Sequence, residues 1–135
     1  MSHTLQLTVQ VHPDRLYRGE PLLCVLAREG IYRSQFETGT SNRGLTAHVG
    51  GYRWKWESRM FGGAYDDAPD EVRPKYGALN YRQRPVGGAP RFGSSFLRLK
   101  PEVLARTTFC YPDSVFEPQH FATVAKMSLI ALAQA

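Results

Sequence analysis

Leu5-Gln6-Leu7-Thr8-Val9-Gln10-Val11-His12-Pro13-Asp14-Arg15 is the stretch on which the reading of this chain turns. Leu5, Leu7, Val9 and Val11 alternate with Gln6, Thr8 and Gln10, the period of a strand that buries one face. Pro13 has no N–H with which to continue a ladder, and Asp14 suits a turn. A strand over 5–11, halted at His12–Arg15, is the expected seed of a sheet. Next, Glu20 to Glu29 predicts a helix, with Pro21 in its first turn and Gly30 as its C-terminal cap. Ile31 to Glu37 alternates again and predicts a short strand. It runs into the small polar loop Thr38-Gly39-Thr40-Ser41-Asn42-Arg43-Gly44.

Tyr52 to Phe61 carries Trp54, Trp56 and Phe61 among charges, and both strand and helix fit it. Asp66, Asp67, Asp70 and Glu71 mark an acidic loop. Tyr76–Arg82, Ser94–Leu99 and Arg106–Tyr111 read as strands, and Pro101–Leu104 as one helical turn. Pro118 to Gln134 predicts a helix with Phe121, Val124, Ala125, Leu129 and Leu132 on one face. Strand, helix, several strands and a final helix imply an α+β domain with a largely antiparallel sheet. Leu7, Val9, Leu22, Val25, Leu26, Phe96, Leu97, Val124 and Leu129 are its expected core.

The chain has 135 residues, 42% hydrophobic and 21% charged, which fits one globular domain over 1–135 and excludes a disordered or collagen-like chain. No run approaches the roughly 20 apolar residues of a membrane helix. Met1-Ser2-His3-Thr4 shows no basic region followed by an apolar run. A cytoplasmic protein without a membrane partner is expected. Cys24 and Cys110 lie in apolar stretches and read as two buried free thiols in a reducing compartment.

The net charge of +5 is unevenly spread. Arg73, Lys75, Arg82, Arg84, Arg91, Arg98, Lys100 and Arg106 face only Glu102, a net +7 over 34 positions. Arginine's planar fork grips phosphate or carboxylate, and Tyr76, Tyr81, Phe92 and Phe96 offer stacking faces. Three readings stay open: a solvated basic face on a sheet, a site for a phosphate-bearing small molecule, or a nucleic-acid surface. At least three of Arg73, Arg82, Arg84, Arg91 and Arg98 are expected to converge near His12 or the 38–44 loop. His12, His48 and His120 are scattered and predict no metal site. Neither a Walker motif nor GxGxxG is present. Ser41, His12 and Asp14 lack the elbow pattern of a hydrolase nucleophile.

Five segments carry a resemblance: His12–Arg15, Tyr32–Asn42, Phe61–Asp66, Arg73–Asn80 and Gly88–Ser94. They resemble the signature blocks of an uncharacterised bacterial family catalogued as a domain of unknown function. The resemblance implies a C-terminal half, with a Glu and a His-Gly pair, beyond this chain. Ala135 ends the sequence inside an apolar helix without a stop signal, which also reads as truncation. Arg43 stands where the family has glycine after the Thr-Ser-Asn run.

The layout is also reminiscent of ADP-ribosyltransferases, which bind NAD. That likeness implies an ADP-ribosyltransferase-like half-domain with His12 or Arg15 at the end of the first strand. Thr40 and Ser41 would take the place of the Ser-Thr-Ser run. Tyr76 would stack nicotinamide and Arg91 would grip phosphate. Glu37 is a further candidate for orienting a ligand. Such transfer passes through an oxocarbenium-like state that needs a carboxylate. Glu117 and Glu57 lie in no matching context, so NAD binding without turnover is expected until the missing half or a partner chain supplies the acid. The rival is a non-catalytic basic module for nucleic acid or a phosphorylated partner.

Overall fold

The structure, a computed structural model, describes residues 5–39 and 46–135. In chain order its main elements are β1 (Leu7–Val11), β2 (Leu16–Tyr17), β3 (Glu20–Pro21), α1 (Leu22–Glu29), α2 (Gln35–Thr38), α3 (Tyr52–Met60), β4 (Ala78–Leu79), β5 (Ser95–Arg98), β6 (Phe109–Tyr111), β7 (His120–Ala122) and α4 (Leu129–Gln134). Short 3-10 turns separate several of them. The architecture is mixed α+β with small antiparallel sheets. One sheet has the order β4-β1-β5, and β2-β3 and β6-β7 form two-stranded ribbons.

β1 is the centre of the three-stranded sheet and pairs Val9 with Leu97 and Leu7 with Leu79, with its apolar face buried as its alternation implies. Its polar face is buried too, which alternation alone does not foretell. Thr8 is fully buried and Gln10 nearly so. The glycine-rich loop at 86–93 covers them and supplies most of their partners, while Gln10 Oε1 is left buried without a donor. Thr8 Oγ1 donates to the Ala78 carbonyl and accepts from the Gly88 N–H at 3.0 Å. Gln10 Nε2 donates to the Val86 and Gly93 carbonyls at 3.2 and 3.1 Å. A buried polar group is tolerated when it is hydrogen-bonded in this way.

Leu7, Phe109, Ala122 and Leu129 form the main core cluster, with Leu79, Leu99, Val103, Leu104 and Met127 packed against it. Val9 and Val25 are buried as expected, while Leu22, Leu26, Phe96 and Leu97 are half-buried. α1 begins two residues later than predicted because Glu20 and Pro21 pair with β2, and it ends at Gly30 in the left-handed region.

Three expectations are corrected. Ile31–Glu37 is no strand, since Gln35–Thr38 turns into α2. The signal was present as Ser34-x-x-Glu37: the Glu37 carboxylate accepts the Ser34 N–H at 2.5 Å, which favours a helix start over an extended chain. Pro118–Gln134 is not one helix. His120–Ala122 pairs with Phe109–Tyr111, and only Leu129–Gln134 is helical. Phe109 and Ala122 face inward as a pair, which leaves Phe121 and Val124 46% and 43% exposed. Tyr76–Arg82 keeps only Ala78–Leu79 as strand, because Asn80 turns the chain by accepting the Arg84 N–H at 2.9 Å.

The cysteine expectation also changes. Cys24 is exposed on α1, and Cys110 is half-buried. Burial, and secondarily Asp113, raises the Cys110 thiol pKa. In the native protein an aromatic disulfide reagent is expected to modify one thiol quickly and the second slowly. Cys24→Ser should remove the fast phase; two equal fast phases would contradict this burial pattern. Among the described residues no helix is long and apolar enough to cross a membrane.

Candidate functional site

β1 delivers His12 and Arg15 to the rim of a cavity of ≈ 90 Å³. Tyr32 and Arg33 border it from the segment leading into α2, Gln35 and Thr38 from α2 itself, and Leu22 and Leu26 of α1 form its apolar wall. The geometry has a simple local cause. Pro13 and Asp14 turn the chain at the end of β1, where the Arg15 N–H bonds the His12 carbonyl at 3.1 Å. Among the described residues the side chains of His12 and Arg15 have no hydrogen-bond or ion-pair partner. Arg33 is held instead by Glu29 at 2.5 Å, and it lies over the Tyr17 ring. Gln35 Oε1 is buried without a donor.

Thr40, Ser41 and Arg43 lie outside the described residues. Of the other predicted site residues, Tyr76 and Arg91 do not reach this cavity. Arg91 pairs at the surface with Asp113 at 3.0 Å and lies over Phe92. Among the described residues none of Arg73, Arg82, Arg84, Arg91 and Arg98 lines the cavity shared by His12 and Thr38, and the 40–44 part of the loop toward which they were expected to converge lies outside the described residues. Arg82, Arg84 and Arg98 are exposed. The two cationic residues that do border it, Arg15 and Arg33, come from outside the basic window.

Tyr76 belongs to a polar cluster that sequence reasoning missed. Glu57 of α3 is fully buried, and its partner Arg73 has a side chain only 2% exposed. Arg73 donates to Glu57 Oε2 through Nε at 3.0 Å and Nη2 at 2.5 Å, and to the Tyr65 carbonyl through Nη1. The Tyr76 hydroxyl donates to Glu57 Oε1 at 2.9 Å. Burial, followed by the Glu57 charge, pushes the Tyr76 phenol well above its usual pKa. Both carboxylate oxygens are thereby engaged and shielded, so the cluster ties α3 to the 73–76 segment rather than presenting an acid. The pattern Arg53-x-x-Trp56-Glu57 signals it only once 52–60 is known to be a helix, because three- and four-residue spacings then share a face.

Glu37, the other carboxylate singled out, accepts from Lys75 at 2.7 Å. Burial works to raise its pKa, but the bonds from Lys75 and Ser34 outweigh that and hold it below the usual carboxylate range. Glu117 lies elsewhere, in a groove of ≈ 250 Å³ that includes Trp56, Arg59, Ser114 and Phe121, and pairs with Arg59 at 3.2 Å. This larger groove contains none of the predicted site residues. Among the described residues no three His, Cys, Asp or Glu side chains come together as metal ligands.

No curated protein and no solved structure matches the chain. A family model described as a protein of unknown function, DUF3626, matches residues 6–134, almost the whole sequence, and the chain belongs to that family.

Proposed function

We propose that the cavity at the end of β1 binds the phosphate-bearing part of a small molecule, and that the ligand is NAD, as in an ADP-ribosyltransferase-like domain. The observation that carries this reading is the meeting of His12 and Arg15, both without partners among the described residues, with Tyr32, Gln35 and Thr38 at one concavity. A guanidinium and an imidazole supply donors for phosphate and ribose oxygens, and the apolar wall suits a ring. At ≈ 90 Å³ the cavity is smaller than the roughly 150 Å³ that encloses a benzene ring, so it takes one portion of a dinucleotide while the rest lies along the surface. No Asp or Glu borders it among the described residues, and glycosidic transfer needs a carboxylate. The reading is therefore of binding without turnover by this chain.

Thermal unfolding tests it. NAD at about a hundredfold excess over its Kd is expected to stabilise the protein by about 2.7 kcal/mol. Arg15→Ala should remove most of that stabilisation, and Arg98→Ala should leave it intact. No shift with NAD, or equal loss in both variants, would overturn the proposal. The rival, a nucleic-acid module, rests on the exposed arginines Arg82, Arg84 and Arg98, with Arg82 over the Tyr81 ring. Oligonucleotide binding that weakens steeply with salt and depends on Arg98 would favour it.

A further inference from the structure

Among the described lysines and arginines, three are withdrawn from full exposure: Arg33, Arg53 and Arg73. Arg33 is paired with Glu29 and Arg73 with Glu57. Arg53 has no carboxylate partner. Residues 1–4 and 40–45 contain no Asp or Glu, so they offer none. The nearby carboxylates are already taken. Glu57 is engaged by Arg73 and Tyr76, and Asp113 by Arg91.

Arg53 is held by rings instead. Its guanidinium carbon lies 4.5 Å from the centroid of the Trp56 ring and 4.9 Å from that of Tyr76. Ring faces attract the charge but accept no in-plane hydrogen bond, so the edge of the fork still needs acceptors. Its Nε is buried without one. The residue also sits in the first turn of α3, where no acidic side chain offsets the positive end of the helix dipole. Burial lowers the Arg53 pKa, as expected of a cation short of counter-charge.

We propose that Arg53 is an anion-binding residue, its fork held by Trp56 and Tyr76 at the start of α3 to receive a phosphate or carboxylate group. Arg53 does not border the His12 cavity, although its charge reaches Tyr32 on the cavity's lining. The role also accounts for an arrangement that would otherwise be a loss: a half-buried cation retained beside a carboxylate reserved for Arg73. The planar fork is the group suited to such recognition, and a lysine would replace its charge but not its geometry.

The probes are inorganic phosphate and acetate, titrated separately into the whole chain while the indole N–H resonance of Trp56 is followed by NMR. The expected result is a saturable shift with at least one of them. Tighter binding of phosphate identifies a phosphate group as the ligand, and equal binding identifies a carboxylate-sized anion. Arg53→Gln is expected to weaken binding about tenfold or more, the weight of one charge-assisted hydrogen bond. Arg53→Lys, which keeps the charge and a long stem over Trp56, should fold and bind with intermediate affinity. Arg15→Ala should leave this titration unchanged, which separates it from the test of the His12 cavity. No saturable shift with either anion, or undiminished affinity in the folded Arg53→Lys and Arg53→Gln proteins, overturns the proposal.

Discussion

Glu57→Gln is expected to lower the free energy of unfolding by about 3–5 kcal/mol. The substitution keeps the shape of the side chain and removes its charge. Arg73 then remains buried, with its side chain 2% exposed, and faces a neutral amide. Arginine cannot relieve the cost by losing its proton. The Tyr76 hydroxyl loses an ionic acceptor as well. Urea unfolding followed by circular dichroism measures the effect, and a loss below about 1 kcal/mol would show that the pair is hydrated and dispensable. Glu57→Leu combined with Arg73→Met should recover much of the loss, because removing both charges leaves none uncompensated.

Gly93→Ala carries the second large effect, expected at about 3 kcal/mol or more. Gly93 has φ 158°, and a Cβ there would lie 2.2 Å from the Val11 oxygen and 2.4 Å from its carbonyl carbon. Those atoms are backbone of the central strand, so no rotamer change makes room. Relief requires β1 and the 93–95 segment to separate, which would also strain the Gln10 bond to the Gly93 carbonyl. Thermal melting and faster amide exchange along β1 would report the damage. Gly62→Ala is the control: its added Cβ meets nothing within 4 Å, so only the cost of its positive φ remains. A Gly93→Ala protein melting with the wild type would contradict the close approach.

The contrast between β1 and the C-terminal segment shows what the sequence could disclose. The alternation specified β1 and its inward apolar face, and Pro13 and Asp14 specified the turn that follows His12. The burial of Thr8 and Gln10 was hidden, because it depends on a loop some eighty residues away supplying carbonyls and an N–H. Leu129 and its neighbours were correctly read as helical, but the period was carried too far back. The pairing of His120–Ala122 with Phe109–Tyr111 is a tertiary preference that no local spacing records.

The site divided along the same line. His12 and Arg15 are close in sequence to the turn that positions them, and they fall at one cavity. Tyr76 and Arg91 were chosen from a charge window, and composition does not say where a side chain points. Arg73 shows this most clearly. It was counted among the arginines expected to converge on a ligand, yet it is the buried partner of a glutamate sixteen residues earlier. Lys75 likewise returns to Glu37 on α2.

The claim that matters most is that ligand binding centres on the end of β1, and residue-by-residue NMR mapping during titration with NAD tests it most directly. Saturable shifts are expected to concentrate at His12, Arg15, Tyr32, Gln35 and Thr38, with little change at Ser114 and Gln119 in the larger groove. Saturable shifts confined to that groove, or scattered over Arg82, Arg84 and Arg98 and abolished by salt, would contradict it.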